Sequence, residues 1–207
     1  MINHMSIMLH LEGMDLAGKS TIAMLIAKEG KKHWQVNDKR LTTHNDIYEF
    51  AWGKSKSQVY SSEIMGYMYL AALLNDIDQF HLDVDLIQDS LLALRSLNYY
   101  IAVQPNCDLE QLYRTALLRH PQPDKSFYLT ASIEARKKRL AKRIQTNPTK
   151  ITNMDMLIMK NPDLFRRIDN SLQNITVEAF NSTVIDTSEM SEKEVFDLIQ
   201  SQCGFPL

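Results

Sequence analysis

Gly13-Met14-Asp15-Leu16-Ala17-Gly18-Lys19-Ser20 follows the spacing GxxxxGK[ST], with Thr21 directly behind it. Each residue type has a reason at its place. Glycines let the backbone curl around an anion so that consecutive N–H groups point inward. Lys19 brings a mobile positive charge, and the Ser20 hydroxyl suits a hard divalent cation such as Mg²⁺. A helix starting at Lys19 would aim the positive end of its dipole at the same anion. An ordinary glycine turn would match this pattern by chance in roughly one chain in a hundred of this length. The motif also lies between an apolar run and a helical pattern, the setting in which such a loop cradles the phosphates of a nucleotide. GTPases, motor ATPases and kinases share it, so the loop alone does not choose the reaction.

Two further groups carry chemistry. Asp89 ends the stretch Asp85–Asp89, which reads as a strand, at the strand edge where ligands bind in open α/β sheets. A carboxylate there can orient Mg²⁺ or take an acceptor's proton; the plainer role is a cap for the helix that follows. Arg136, Lys137, Lys138, Arg139, Lys142 and Arg143 fall in one helical stretch of a chain whose net charge is −2. Arg139 and Arg143, four apart, share a helix face. Such a face can clamp phosphates, or it can be a solvated surface suited to a helix C-terminus.

The elements that must position these groups alternate. Ser6–Leu11, Trp34–Asp38, Asp85–Asp89, Phe127–Thr130 and Thr183–Asp186 read as strands. Lys19–Glu29, Glu63–Phe80, Leu91–Tyr100, Leu109–Leu118, Ile133–Ile144 and a segment from Phe165 to Phe180 read as helices. Ser132 is placed to cap the basic helix, and Ser191-x-x-Glu194 opens a final helix carrying Val195, Leu198 and Ile199. Lys39–Gln58 reads as loop plus short helix, and the Met-containing stretch after Pro148 as irregular. Alternation of this kind predicts a parallel sheet with helices on both faces: one α/β domain over residues 1–207, in three layers. With 44% hydrophobic residues the core is adequate, and a net charge of −2 gives no general attraction to nucleic acid or an acidic membrane. Cys107 and Cys203 form no CxxC pair, and the apolar stretch after Met5 is too short for a secretory or membrane segment. Both point to a cytoplasmic protein.

Leu11-Glu12-Gly13-Met14-Asp15-Leu16-Ala17-Gly18-Lys19-Ser20-Thr21 resembles the opening FEGxDGAGKST of thymidylate kinases. Weaker similarities follow in that family's order: Asp85–Asp89 for its strand ending in Asp-Arg, Phe127–Ala135 for FYLDVxPEEA, Arg139–Arg143 for RxxxR, and Val184–Ser188 for VIDAS. The resemblance implies a P-loop NTPase fold with a five-stranded parallel sheet, a basic lid over about 136–160, and ATP- and Mg²⁺-dependent phosphorylation of a small molecule. It implies nucleotide contacts at Gly13, Asp15, Ala17, Gly18, Lys19, Ser20 and Thr21, with Asp15 also near the acceptor. Lys19, Asp89, Arg139 and Arg143 take catalytic roles, Ser20 and Asp89 the metal. Lys142 or Lys150 would reach in as the lid closes. The partners are then ATP/ADP and a nucleoside, nucleotide or other metabolite, with a homodimer left open.

This chain departs from that pattern at the acceptor. Ser90 stands where the family has arginine, and Leu41–Asp46 carries neither the arginine nor the glycine of the family's Arg-Glu-Pro-Gly stretch. The family's base-contacting Tyr-Gln pair falls near Asn98-Tyr99. Arg95 is either a replacement arginine or a helix-surface residue, and His44, Asp46, Tyr48 and Trp52 either line the acceptor pocket or merely pack. Two functions follow: a kinase with a rebuilt acceptor site, or a nucleotide-binding regulatory module that has lost transfer chemistry.

Overall fold

A computed structural model describes residues 6–57 and 59–207, with Lys150 described by its backbone alone. The expected reach of Lys150 into the lid therefore lies outside the described residues.

Five parallel strands form one sheet: β1 (Met8–Glu12), β2 (Gln35–Lys39), β3 (Leu86–Leu91), β4 (Lys125–Thr130) and β5 (Thr183–Asp186), in the order β2-β3-β1-β4-β5. β1 sits centrally, buried at every residue. Its alternation divides the core between the two faces. Leu9 and Leu11 pack with Ile22 and Ile26 of α1 (Lys19–Glu29) and Ile199 of α9 (Glu192–Gln202). Met8 turns the other way, into the cluster with Leu73 of α3 (Ser62–Gln79), Leu94 of α4 (Leu92–Asn98), Tyr113 of α5 (Cys107–Leu117) and Leu172 of α8 (Pro162–Phe180). Helices on both faces complete the expected three layers.

Caps fix where several helices begin. Ser132 accepts from the Ala135 amide at 3.1 Å and starts α6 (Ile133–Thr146). Ser191 and Glu194 form the reciprocal box that starts α9. Two helices exceed the sequence expectation. α2 (Asp46–Ser57) occupies most of the stretch read as loop plus short helix, so the helix is longer than expected; Asn45 starts it by accepting from the Tyr48 amide at 3.0 Å. α7 (Asn153–Lys160) fills the segment read as irregular, and its box uses Asp155 where the usual pattern has Glu or Gln. α4 ends sooner than expected, passing into a π turn over Tyr99–Val103.

The face toward α8 also buries polar groups. His10 and His120 each meet Phe180 edge-on, at 5.3 and 5.7 Å between ring centres. Burial pushes both imidazole pKa values down to about 4. The unfolded chain therefore takes up these protons below about pH 6.5 while the native chain does not, so stability falls as pH drops from about 6.5 toward 4. We expect urea midpoints to decline over that window and His120→Gln to flatten the decline. A midpoint constant from pH 7 to about 4.5 would contradict the buried neutral state of these residues.

Candidate functional site

The loop joining β1 to α1 lies at the carboxyl edge of the sheet, held there by close packing. Gly13 has φ +144°, and a Cβ at this position would sit 2.1 Å from the Leu129 carbonyl oxygen. Gly18, at φ +99°, turns the chain into α1. Non-glycine residues with positive φ cluster at this edge too: Leu16 (64°) in the loop, Lys39 (64°) ending β2 and Ser90 (70°) in β3. Such conformations cost about 1–2 kcal/mol per residue and persist where surroundings enforce them.

Every carbonyl from Gly13 to Gly18 is held by a donor. Gly13 O accepts from Arg95, Met14 O from the Ala17 amide at 3.3 Å, and Asp15 O from Arg136 Nη1 at 2.5 Å. Leu16 O accepts from Arg139 Nη1 at 2.9 Å, Ala17 O from Thr187 Oγ1 at 3.0 Å, and Gly18 O from the Ile22 amide at 3.0 Å. Peptide planes whose carbonyls point outward present their N–H groups inward. The amides of Asp15, Leu16 and Gly18 have no acceptor among the described residues. With the free first-turn amides of α1 they form a concave anion site.

Lys19 is buried beside this concavity, and burial pushes its pKa down despite the opposing pull of Asp89, Glu12 and Asp15. Among the described residues it forms no ion pair. Asp89 is buried in the interior of β3, not at the cap of α4, whose N-cap is Leu91. The capping role considered for Asp89 is thereby corrected: the strand runs on past it. Burial raises the Asp89 pKa, while Lys19 and the Ser20 hydroxyl favour its charged form. Among the described residues Asp89 Oδ1 has no hydrogen-bond partner. An orphaned carboxylate oxygen near a loop hydroxyl fits Mg²⁺, which takes one or two such oxygens plus phosphate and water.

A cavity of about 1020 Å³ opens over the loop, lined on one side by Ala17, Gly18, Ser20 and Thr21 and on the other by Arg139 and Arg143. The two arginines do not act as one free pair. Arg139 Nη1 holds Leu16 O and Thr187 Oγ1 (3.0 Å), and its Nη2 holds Thr187 O at 2.5 Å. Arg143 Nη1 lies 3.1 Å from the buried carboxylate of Asp155, which also caps α7. Asp15 Oδ2 accepts from Thr152 Oγ1 at 3.3 Å, joining the loop to the start of α7.

Two arginines matter more than sequence reasoning allowed. Arg136 is fully buried; besides Asp15 O it holds Ala131 O at 2.8 Å and pairs with Asp169 at 2.9 Å. Tyr128 and Thr130 donate to the same carboxylate, at 2.6 and 3.1 Å. Arg95 is no free surface residue: it pairs with the fully buried Glu12 at 2.8 Å. Burial opposes ionisation of Glu12, but Arg95, His10 and Lys19 outweigh it and lower its pKa. The tell-tale was Glu12 itself, a carboxylate inside an apolar strand that must find a cation.

A second cavity, about 460 Å³, lies between the end of β2 and α2, lined in part by Asp38, Lys39, Arg40, Tyr48, Glu49 and Trp52. The Tyr48 and Trp52 rings stack at 6.4 Å and 7°. His44 and Asp46 are absent from this lining and pair with each other at the surface, 3.0 Å apart. Asn98 and Tyr99 lie elsewhere: Asn98 donates to Ile168 O at 3.2 Å, and Tyr99 to Gln104 at 2.9 Å. An arginine does follow β2. The strand reaches Lys39, one residue beyond expectation, and Arg40 comes next, bonded to Glu49 at 2.5 Å.

No family model and no curated protein matches the chain. Solved structures do. Thymidylate kinase from Candida albicans aligns with a TM-score of 0.65 at 15% identity, covering 95% of this chain and 90% of that one. Thymidylate kinase from Ehrlichia chaffeensis gives 0.60 at 14%, with 94% and 98% covered. Deoxyadenosine kinase from M. mycoides, solved with bound dCTP, gives 0.58 at 18%, with 95% and 98% covered. The chain has a thymidylate kinase-like P-loop kinase fold, a three-layer α/β arrangement around a five-stranded parallel sheet.

Proposed function

We propose that this chain, having the fold of the P-loop kinases, binds ATP with Mg²⁺ and transfers the terminal phosphoryl group to a small-molecule acceptor. The observation that carries the reading is the loop whose carbonyls are each held by a donor, beside a Lys19 ammonium that forms no ion pair among the described residues. The free amides of Asp15, Leu16 and Gly18, with those of Lys19, Ser20 and Thr21 at the start of α1, bind the phosphates, while Gly13 and Ala17 shape the turn beneath them; Lys19 follows the charge that moves with the transferred group. Ser20 and Asp89 would hold Mg²⁺, which when bound neutralises charge on the phosphate oxygens. Arg139 positions the loop through Leu16 O, and Asp15 faces the acceptor side. The stretch over 136–160 is the lid, and Arg143 joins the phosphates by leaving Asp155. The chain acts as one cytoplasmic domain. Its partners are ATP/ADP and a nucleoside, nucleotide or similar metabolite; its cations gather on α6 and form no track for nucleic acid. No helix among the described residues is long and apolar enough to cross a membrane.

Binding is tested by melting. At a hundredfold excess over Kd, MgATP stabilises by about 2.7 kcal/mol, a shift of about 5–10 °C for a chain of this size. Lys19→Ala should lose most of that shift. An unchanged melting temperature with wild type at millimolar MgATP would refute the reading. The regulatory alternative draws on one observation, the Arg143–Asp155 pair; it predicts the MgATP shift without consumption of ATP across a broad acceptor panel.

A further inference from the structure

We infer that Gln88 and Glu12 are positioning residues for Asp89: from the other face of the sheet they hold a bulge at Ser90 that aims this carboxylate at the phosphate loop. The inference rests on the kinase reading above and concerns how that site is set.

The sheet register supplies the first observation. Asp38 of β2 pairs with Asp89, but the next residue, Lys39, pairs with Leu91. β3 therefore carries one residue more than its partner at this point. That residue is Ser90, whose φ is 70°. A bulge of this kind bends its strand and re-aims the side chains beside it. Serine has no preference for the left-handed region, where its Cβ crowds a carbonyl oxygen, and such a conformation persists only where the surroundings impose it.

Two side chains impose it here. The peptide unit joining Ser90 to Leu91 is gripped at both ends: Gln88 Nε2 donates to Ser90 O at 2.8 Å, and Glu12 Oε2 accepts from the Leu91 amide at 3.1 Å. A peptide unit is planar, so holding both of its polar ends fixes the dihedrals on either side of it. Gln88 and Glu12 are both fully buried. Each also reaches a second element. Gln88 Nε2 bonds to Asn37 O of β2 at 3.3 Å, and Glu12 Oε1 accepts from the Gly13 amide at 2.9 Å. One carboxylate thus ties the first amide of the phosphate loop to the peptide just past Asp89. Arg95 Nε, 3.0 Å from the same Oε1, balances its charge.

Packing alone does not account for Gln88. Its Oε1 has no hydrogen-bond partner among the described residues, a cost that an apolar side chain in this central strand would avoid. Strand alternation puts Asp89 on the opposite face from Gln88, where it lies buried with Lys19 and Ser20. An amide kept at that cost, gripping a strained peptide next to the site carboxylate, sets the direction in which the carboxylate points.

The test measures the metal-dependent part of the nucleotide melting shift, which is the shift with MgATP less the shift with ATP and EDTA. A role in stability alone moves the melting temperature without ligand and leaves this difference in place. Gln88→Met, similar in shape, should reduce the difference below half the wild-type value. Adding Ser90→Gly should bring it back above half, because glycine takes the left-handed conformation unaided. A Gln88→Met difference above half of wild type, or a double variant that stays below half, overturns the inference and leaves the kinase reading standing. If Gln88→Met does not fold, two single variants decide. Ser90→Thr keeps the hydroxyl, but its branched Cβ resists positive φ, so its difference should be less than half that of Ser90→Gly. A larger value overturns the inference. So does a wild type that gains the same shift from ATP with and without Mg²⁺. A wild type with no MgATP shift at all would sink the kinase reading, and the inference with it.

Discussion

Asp89→Asn will lower turnover by about a hundred- to a thousandfold, the usual loss when one charge-stabilising group is removed from a reacting centre. The same variant should melt slightly higher than wild type without ligand. Burial raises the Asp89 pKa above its unfolded value, so at neutral pH the ionised native carboxylate is held at a cost that a neutral amide of the same shape avoids. Asparagine also keeps the strand packing, because Oδ1 makes no hydrogen bond among the described residues. MgATP should still bind, since the loop amides and Lys19 are untouched, and the melting shift should shrink only modestly. Higher stability with lost activity is the mark of a functional residue under strain. Calorimetry with and without MgATP, beside a coupled assay, separates the cases. Turnover within a few-fold of wild type would leave Asp89 a structural strand residue.

Arg136→Met is expected to destabilise the fold by about 3–5 kcal/mol, the range for removing one partner of a buried ion pair. For a chain of this size the melting temperature should fall roughly 10 °C. The reason lies in what remains behind. Asp169 keeps its bonds from Tyr128 and Thr130 but loses its compensating charge, and the carbonyls of Ala131 and Asp15 lose their donor. The methionine side chain fills much of the same space against Phe165, whose ring centre lies 5.0 Å from the guanidinium carbon. A double variant, Arg136→Met with Asp169→Leu, tests the cause. Removing both charges should restore part of the stability. Nucleotide affinity should stay reduced in both, because Asp15 O is still without its donor. A single variant that loses less than about 1 kcal/mol in urea unfolding would show that the pair contributes little.

The sequence made the frame and the phosphate loop legible through local signals. The loop is a contiguous pattern, and α1 and β5 match their expected bounds because glycine, lysine and strand-forming residues mark them locally. What escaped was long-range or atypically coded. Nothing in a basic run distinguishes Arg136, turned inward to Asp169, from Arg139, turned to Leu16 O; three residues apart, both lie on one helix face. Arg95 meets Glu12 across 83 positions of sequence. Ser90 stands out only once the register of β2 and β3 leaves it unpaired beside Asp89. The full length of α2 was hidden by its charged, weakly amphipathic surface, since only Tyr48 and Ala51 are buried among its twelve residues.

The bracing of the phosphate loop from behind bears on how ligand affinity and tolerance to mutation are linked. Arg95, Arg136, Arg139 and Thr187 are recruited from three separate parts of the chain to hold four of the six loop carbonyls. The loop's conformational entropy is thus surrendered when the chain folds, and an incoming triphosphate finds its donors already aligned. Rigidity of this origin is only as good as the remote side chains that impose it. Substitutions far from any ligand atom, in α4, α6 or the turn after β5, should therefore weaken nucleotide affinity through a larger population of misaligned loops, while every phosphate contact in the aligned form stays unchanged.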